Sequence, residues 1–229
     1  MAGWMEDGPM GDVGAPMPGE LRVERADLAA HIQGLPGPRA LIAITGAPGA
    51  GKSHLARELA SALQARHPGG TAIVQMDAFH YDDTILQARG LQHRKGAPET
   101  FDVAGLAHLL GRLSAEAPEE IAIPVFDRTL ELSRAGAAIV PAKARYILIE
   151  GNYLLLTRAP WRDLARFFDL SIRLDTPEPL RRTRLHRRWH AQNLAGDEIA
   201  RRIDTNDLPN GRIVAQESRA ADLLVHDPG

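Results

Sequence analysis

The sequence contains no cysteine, so it forms no disulfide bond and no metal site built on thiolates. No apolar run approaches the roughly 20 residues that a membrane-spanning helix needs. The formal net charge is only −2, which argues against a general attraction to nucleic acid or to acidic membrane surfaces. We therefore expect a cytoplasmic protein with no nucleic-acid partner and no membrane partner.

Lysine is also scarce, occurring only as Lys52, Lys95 and Lys143. Lys52 belongs to the segment Gly46–Ser53, which reads Gly-Ala-Pro-Gly-Ala-Gly-Lys-Ser. This segment fits the phosphate-loop pattern of a glycine, four free positions and Gly-Lys-Ser. A short apolar run precedes it and a helix-forming segment follows it, which are the strand and the helix that flank such a loop.

The residue types of this loop suit phosphate binding. Glycines let successive backbone N–H groups turn toward a phosphate, and the following helix directs its positive end to the same place. Lys52 is then placed to bind the outer phosphates of ATP, and the Ser53 hydroxyl to complete a Mg²⁺ shell. We predict ATP and Mg²⁺ as cofactors. The predicted nucleotide-binding residues here are Gly46, Ala47, Pro48, Gly49, Ala50, Gly51, Lys52, Ser53 and His54.

The rest of the chain predicts an α/β fold, in which a mostly parallel sheet carries helices on both faces as in phosphate-loop NTPases. Residues 1–19 are rich in glycine, proline and methionine and are interpreted as a flexible lead-in, followed by a single domain over residues 20–229. The predicted strands are residues 40–45, 71–76, 121–126, 137–140, 146–149, 170–174 and 222–226. The predicted helices are residues 20–33, 54–63, 103–113, 161–168, 177–193 and 197–204.

Two carboxylates follow apolar strands. Glu150 ends the run 146–149, and Asp77 ends the strand that follows the phosphate loop. Ligands of parallel sheets bind at the carboxyl ends of strands, so these two residues and Lys52 should meet in one crevice. Glu150 is predicted to bind Mg²⁺ together with Ser53, whereas Asp77 is predicted to take the proton of an attacking hydroxyl and to contribute to the metal site. The alternative for each is an ordinary carboxylate at the end of a strand.

Arginines crowd one predicted helix. Arg184, Arg187 and Arg188 are spaced to share a face, and a cationic face can close over a transferring phosphoryl group. We predict a lid over residues 178–195, in which Arg187 and Arg188 are catalytic and Arg184 contacts the nucleotide. A solvated charged surface is the alternative.

The polar segment 78–100 shows no sustained periodicity, and a connection of this length is often functional. It is predicted to form a substrate loop. The residues predicted to contact the substrate are Phe79, His80, Phe101, Phe126, Asp127, Asn152 and Tyr153. The pattern leaves open whether these aromatic residues line a pocket or pack in the core.

Several segments together resemble the phosphoribulokinase/uridine kinase superfamily of phosphate-loop kinases. They are Gln75–His80, Pro98–Asp102, Pro124–Asp127, Ile149–Asn152 and Arg184–Arg188, in the order that the family shows. The resemblance implies that Asp77 is the general base, that Lys52 holds the β- and γ-phosphates, and that the arginines belong to a lid. It also implies that Asn206–Asn210 lies near the adenine.

The substrate is not settled by this resemblance. Gly96, Ala97 and Phe126 stand where uridine kinases carry polar groups that contact a nucleoside, which argues against uridine. Lys95–Pro98, Phe126–Arg128 and Asn206–Asn210 resemble a bacterial subgroup described as nucleoside-, pantothenate- or fructose-transport-kinase-like. A sugar, a nucleoside and a pantothenate-like alcohol therefore all remain open.

The sequence thus predicts a kinase that transfers the γ-phosphoryl group of ATP to a hydroxyl group of a small metabolite. A phosphate-loop ATPase and a nucleotide-binding regulatory protein are the alternatives. The Asn-Lys-x-Asp motif of GTP switches is absent. The resemblance leaves a homodimer open.

Overall fold

The structure, a computed structural model, describes residues 16–115 and 119–227. The strands are β1 (Leu21–Arg22), β2 (Ala40–Thr45), β3 (Thr71–Gln75), β4 (Ile121–Asp127), β5 (Leu132–Val140), β6 (Tyr146–Gly151), β7 (Leu170–Asp175) and β8 (Leu223–His226). The α-helices are α1 (Leu28–Gln33), α2 (Lys52–Arg66), α3 (Asp83–Ala88), α4 (Val103–Ser114), α5 (Glu178–Ala191), α6 (Gly196–Arg202) and α7 (Leu208–Glu217). Within these ranges no helix has the length and apolar character that would let it cross a membrane.

Six strands form one parallel sheet in the order β1-β8-β7-β2-β6-β3. The central strands β2 and β6 are buried along their whole length, as expected for a parallel sheet that is covered on both faces. Successive residues of a strand point to opposite faces. Leu41 and Ala43 therefore pack with α4 on one face, whereas Ile42 and Ile44 pack with α1 and α2 on the other. The predicted α/β architecture is confirmed.

Strands β4 and β5 form a separate antiparallel hairpin outside this sheet. The sequence predicted 121–126 as a further strand of the sheet with a short partner at 137–140. The placement in the sheet is wrong, since β4 and β5 form their own two-stranded sheet. The expected partner is confirmed where residues 138–140 pair with residues 121–123, and β5 extends the pairing back to Leu132. The hairpin packs against the 3₁₀ turn Met76–Phe79 at the end of β3. It is thereby brought beside Asp77.

The predicted helix 20–33 is wrong in its first half. Leu21 and Arg22 form a short strand beside β8, and only Leu28–Gln33 is α-helical. The chain stays extended at this point because the buried Glu20 carboxylate pairs with Arg173 on β7. Of the predicted flexible lead-in 1–19, residues 1–15 lie outside the described residues. The division of the chain into domains stays a prediction.

Two helical regions were not predicted. Within 78–100 the chain forms α3, whose first turn is capped by Asp82, and short 3₁₀ turns at Gln92–Arg94 and Pro98–Thr100. After α6 the helix continues through a π turn, Ile203–Asp207, into α7. Single π turns inside helices are frequent at functional sites, and this one borders the cleft that is described below.

The Glu20–Arg173 pair anchors the edge of the sheet and generates a stability prediction. The Glu20 carboxylate is fully buried and also accepts hydrogen bonds from the backbone N–H groups of Met17 and Ala221. Burial would raise the pKa of Glu20, but the hydrogen bonds from Arg173 and the backbone outweigh burial and lower it. Its stabilising contribution is therefore present above the unfolded pKa of 4.5 and is lost as the pH falls through the lower folded pKa.

We expect Glu20→Gln to lower the free energy of unfolding by about 3 kcal/mol at pH 7, because the mostly buried Arg173 loses its hydrogen-bonded carboxylate and keeps only Asp175 at 3.9 Å. Urea unfolding measures this loss. The difference from the wild type should shrink below about pH 4, where the wild-type carboxylate also gains a proton. Glu24→Gln, at an exposed position, is the matched control. Equal loss in both variants would contradict the anchoring role.

Candidate active site

The loop Gly46–Ser53 connects β2 to α2 and is held open by its glycines. Gly49 and Gly51 have φ angles of +79° and +98°, which glycine adopts without strain. A Cβ atom on Gly49 would lie 2.9 Å from the carbonyl oxygen of Arg181, so α5 packs directly on the loop. Gly51 caps α2 without a side chain, and the helix therefore presents its free N–H groups to the cleft. The loop can bind an anion such as a phosphate.

The register of the sheet brings the predicted carboxylates to this loop. Glu150 on β6 lies level with Ile44 on β2 and with Gln75 on β3. Asp77 follows Gln75 by two residues, as Gly46 follows Ile44. The loop, Glu150 and Asp77 therefore emerge side by side at one edge of the sheet. The Ser53 hydroxyl donates a hydrogen bond of 3.0 Å to Oε1 of Glu150.

Burial perturbs the charges at this edge. Lys52 is only 8% exposed, and its ammonium group donates to the Ala47 carbonyl oxygen at 3.0 Å. Burial lowers the pKa of Lys52 to about 8, although Glu150 and Asp77 favour its protonated form. Burial and the nearby charge of Asp77 raise the pKa of Glu150. The three residues thus interact electrostatically in one poorly solvated place.

The pKa of Asp77 shifts in the opposite direction to that of Glu150. Burial would raise its pKa, but the positive groups around it lower it. The Arg128 guanidinium donates to Oδ2 of Asp77 at 3.3 Å, and Arg188 and Lys52 add positive charge. His80 contributes most to this lowering when its ring is charged, but burial lowers the pKa of His80, so at pH 7 the ring is neutral and Arg128, Arg188 and Lys52 supply the positive charge. Asp77 is therefore ionised at neutral pH.

The three arginines predicted to share a face of the lid do not act together. Arg188 lines the cleft, where its Nε is buried without a hydrogen-bond partner. Arg184 instead binds Oδ2 of Asp227 at 2.8 Å and the Ala50 carbonyl oxygen at 3.2 Å, and so supports the phosphate loop from behind. Arg187 is exposed and lies outside the cleft. The spacing fits one helix face, but the three side chains have different surroundings: the cleft for Arg188, Asp227 for Arg184 and solvent for Arg187.

Trp189 is the centre of the lid. Its indole N–H donates to Oδ2 of Asp207 at 2.8 Å, and the guanidinium of Arg202 stacks 3.9 Å from the centre of its ring. Asn206 on the π turn donates to the carbonyl oxygen of Lys95 at 2.8 Å, and this bond ties the lid to the segment 92–100. The predicted role of Asn206–Asn210 near the adenine stays a prediction.

The predicted substrate residues divide into two groups. His80, Phe101, Phe126 and Asn152 line the cleft, and the His80 ring stacks on Phe101 and Phe126 with centroid distances of 4.0 and 5.2 Å. The others lie outside it. Phe79 packs on the core, Tyr153 is fully buried and donates to the Gly96 carbonyl oxygen at 2.6 Å, and Asp127 caps the hairpin turn. The structure therefore does not bring Phe79, Asp127 or Tyr153 to the substrate space.

The cleft also contains residues that the sequence analysis did not single out. Its volume is about 280 Å³. The additional lining residues include Lys95, Arg128, Glu131, Trp189 and Arg202, and they lie in the same cleft as Asn206, Asp207 and Asn210, which belong to the segment predicted near the adenine. Two weak signals could have found some of them: Lys95 is one of three lysines, and Arg128 directly follows a strand-end aspartate. The remainder depend on how α5, the π turn and the hairpin fold over the sheet.

The oxygen ligands at the sheet edge fit Mg²⁺. Ser53 provides a hydroxyl oxygen, while Glu150 and Asp77 provide carboxylates. Among the described residues there is no cluster of three or more His, Cys, Asp or Glu side chains that could hold a metal by itself. Mg²⁺ rarely uses such a cluster; it is bound through one or two carboxylates and completes its shell with water and phosphate oxygens.

Comparison with known proteins places this site in context. The family model described as the phosphoribulokinase/uridine kinase family matches residues 41–204. A Schizosaccharomyces pombe protein, provisionally described as a uridine kinase, is 32% identical over 217 residues, covering 90% of this chain and 88% of its own length. A pantothenate kinase of Streptomyces avermitilis is 31% identical over 156 residues, which are 64% of this chain but 47% of that protein.

Solved structures agree with the fold. One from Silicibacter sp., provisionally described as a fructose transport system kinase, is similar with a TM-score of 0.78 and 42% sequence identity, covering 86% of this chain and 98% of that one. A D-glycerate 3-kinase from Cryptococcus neoformans is similar with a TM-score of 0.61 at 13% identity, covering 88% and 92% of the two chains. The second likeness concerns the fold alone.

The buried ammonium of Lys52 generates a prediction that needs no ligand. The folded protein binds the proton of the Lys52 ammonium less firmly than the unfolded chain does. Burying the charged ammonium therefore lowers the free energy of unfolding fully below about pH 8, and this cost fades as the pH rises toward 10.5. We expect Lys52→Met to raise the free energy of unfolding of the ligand-free protein by about 1–2 kcal/mol at pH 7. Urea unfolding at pH 7 and near pH 10 measures this gain, which should shrink at the higher pH.

Lys143→Met removes an exposed lysine and is the matched control. It should leave the free energy of unfolding within about 0.5 kcal/mol of the wild type at both pH values. A Lys52→Met protein that is no more stable than the wild type would contradict the energetic cost assigned to the buried ammonium.

Proposed function

Since the chain belongs to the phosphoribulokinase/uridine kinase family and is an ATP-dependent phosphotransferase with an alcohol acceptor, we propose that it phosphorylates a small metabolite through Lys52, Asp77 and Arg188. The observation that carries this proposal is the convergence of the three side chains with Glu150 in one cleft. The electrostatic influence of Glu150 and Asp77 on Lys52 supports the same proximity.

The triphosphate lies along the phosphate loop in this proposal. The free N–H groups at the start of α2 bind phosphate oxygens, and Lys52 moves its ammonium from the Ala47 carbonyl to the outer phosphates. Ser53 and Glu150, with Asp77, would hold Mg²⁺, which when bound neutralises charge on the phosphates.

The transfer step takes place beside Asp77. The carboxylate of Asp77 accepts the proton of the acceptor hydroxyl while the acceptor oxygen forms its bond to the γ-phosphorus. The bond between that phosphorus and the β–γ bridging oxygen breaks, and ADP leaves with the electron pair. Arg188, whose Nε has no partner in the cleft, donates to the oxygens of the transferring group. We place this chemistry in the cytoplasm, where ATP is abundant.

Asp77→Asn tests the base. We expect kcat to fall by about 10²–10⁴-fold, because the amide cannot accept the proton. The affinity for a non-hydrolysable ATP analogue, measured by calorimetry, should change by less than about threefold if Asp77 acts mainly on the acceptor. Turnover is measured as ADP release from Mg-ATP with and without a panel of hydroxylated metabolites.

The same assay separates the alternatives. ADP release that depends on one acceptor supports a kinase, whereas steady release that ignores every acceptor supports an ATPase. Binding of the analogue without any ADP release supports a regulatory nucleotide-binding protein. An Asp77→Asn enzyme with wild-type kcat would remove Asp77 as the base.

Arg188→Ala and Arg187→Ala form a matched pair on one helix. We expect Arg188→Ala to lower kcat/KM by about 10²–10³-fold, because it removes a donor from the transferring group. Arg187→Ala should stay within about threefold of the wild type, since its side chain is exposed and outside the cleft. Steady-state ADP release measures both. Equal losses in the two variants would contradict the assignment of Arg188.

A further inference from the structure

Several polar atoms inside the cleft are buried and have no hydrogen-bond partner. They are NH1 of Arg128, Oε1 of Glu131, Nε of Arg188 and Oδ1 of Asn210. A buried polar group without a partner costs free energy, so a group of them in one cleft indicates that a ligand supplies the partners. Arg188 is accounted for by the phosphoryl group, and Asn210 belongs to the segment that the resemblance places near the adenine, which leaves Arg128 and Glu131 for the acceptor.

Arg128 lines the cleft and is the cation that contacts the carboxylate of Asp77. It follows β4 at the turn of the hairpin, and its NH2 nitrogen donates to Oδ2 of Asp77 at 3.3 Å while NH1 is buried and unpartnered. One long hydrogen bond to the base uses little of a guanidinium that carries five N–H donors in a planar fork. The remaining fork fits a carboxylate or a phosphate group.

Lys95 does not compete for this role. Its ammonium donates to Oδ1 of Asp83 at 2.7 Å and to the main-chain carbonyl oxygen of Glu131 at 2.8 Å. Its charge is therefore already balanced, and it holds the turn of the hairpin in place. Of these two described cations, Arg128 is therefore the one that keeps a buried donor without a hydrogen-bond partner.

Part of the cleft wall is aromatic. His80 stacks on Phe101 and Phe126, and its neutral ring accompanies them in covering the carbon skeleton of a small molecule. The unpartnered carboxylate oxygen of Glu131 can accept a second hydroxyl group. The cleft thus offers a cationic end, an apolar wall and hydroxyl acceptors.

We propose that the acceptor is an alcohol that also carries an anionic group, a carboxylate or a phosphate, and that Arg128 binds this group. The proposal rests on the proposed function, because it places the reacting hydroxyl at Asp77. On binding, the Arg128 guanidinium exchanges its contact with Asp77 for the anionic group and leaves Oδ2 of Asp77 to the hydroxyl. Neutral alcohols do not draw Arg128 away and are therefore poor acceptors.

Matched pairs of alcohols that differ in charge test the proposal. The pairs are pantothenate and panthenol, D-glycerate and glycerol, and D-ribose 5-phosphate and D-ribose. Each compound is assayed for ADP release from Mg-ATP and for binding by calorimetry with a non-hydrolysable ATP analogue present. We expect the charged member of at least one pair to bind and react at least 50-fold better than its neutral partner. Whether that member is a carboxylate or a phosphate distinguishes the two anions.

Arg128→Gln should lower kcat/KM and affinity for the charged acceptor by about 30- to 1000-fold and change the affinity for the ATP analogue by less than threefold. The neutral partner should react at least as well as with the wild type, because Oδ2 of Asp77 is no longer held by Arg128. Arg134→Gln is the matched control, because Arg134 lies on the same hairpin, is 54% exposed and pairs with Asp127 at 3.5 Å outside the cleft. It should behave as the wild type with every acceptor.

Three results would overturn the proposal. The neutral and charged members of every pair could react equally well, or Arg128→Gln could lose activity toward both members equally. The third is a wild-type protein that binds none of the charged alcohols. The kinase assignment fails differently. In that case no alcohol stimulates ADP release, yet the calorimetric binding of the charged members and its loss in Arg128→Gln still report on Arg128.

Discussion

The Ser53 hydroxyl can reach Glu150 because β6 lies between β2 and β3, with Glu150 level with residues of both strands. This register decides the geometry of the whole site. Neighbouring strands are about 4.8 Å apart, so the phosphate loop and Asp77 emerge within two strand spacings of each other on either side of Glu150. A shift of β6 by one residue would turn the carboxylate toward a covering helix layer.

The apolar sheet has to compensate for the charges that it places together. Burial lowers the pKa of Lys52 and raises that of Glu150, so the charged form of each residue is less stable in the protein than in water. Strands that are buried on both faces between α4 on one side and α1 and α2 on the other provide the offsetting stability. The site is thus a destabilised edge on a stable sheet, and a bound triphosphate relieves part of the cost because it supplies a charged partner for Lys52.

Local sequence was sufficient to predict the part of the site that lies on the sheet. A buried strand, a glycine-rich loop and a helix need only their own residues to be recognised, and the carboxyl ends of parallel strands meet by rule. The lid was harder, because helical spacing groups Arg184, Arg187 and Arg188 on one face without saying what covers that face. Packing of Trp189 against Asp207 and Arg202 decides that Arg188 enters the cleft.

The hairpin of β4 and β5 was harder still to predict from the sequence. An alternating strand such as β4 pairs equally well with the sheet or with β5, and the choice depends on contacts between residues distant in sequence. The helix expected from residue 20 was lost for a similar reason, since Arg173 lies 153 residues away and holds Glu20 in an extended segment. No periodicity within residues 20–33 encodes that partner.

The site therefore has two parts, one that local sequence predicts and one that depends on contacts between residues distant in sequence. The residues assigned to ATP stand on the sheet and on the helix that follows the phosphate loop, whereas Arg128 and Glu131, which we propose for the acceptor, stand at the turn of the hairpin. A change in the hairpin can alter the acceptor without shifting Glu150, because β4 and β5 are not hydrogen-bonded to the sheet. Relatives whose names refer to different acceptors can therefore share the sheet and the loop. What distinguishes this chain has to be sought in the residues that the hairpin turns toward Asp77, and Arg128 is the one that touches it.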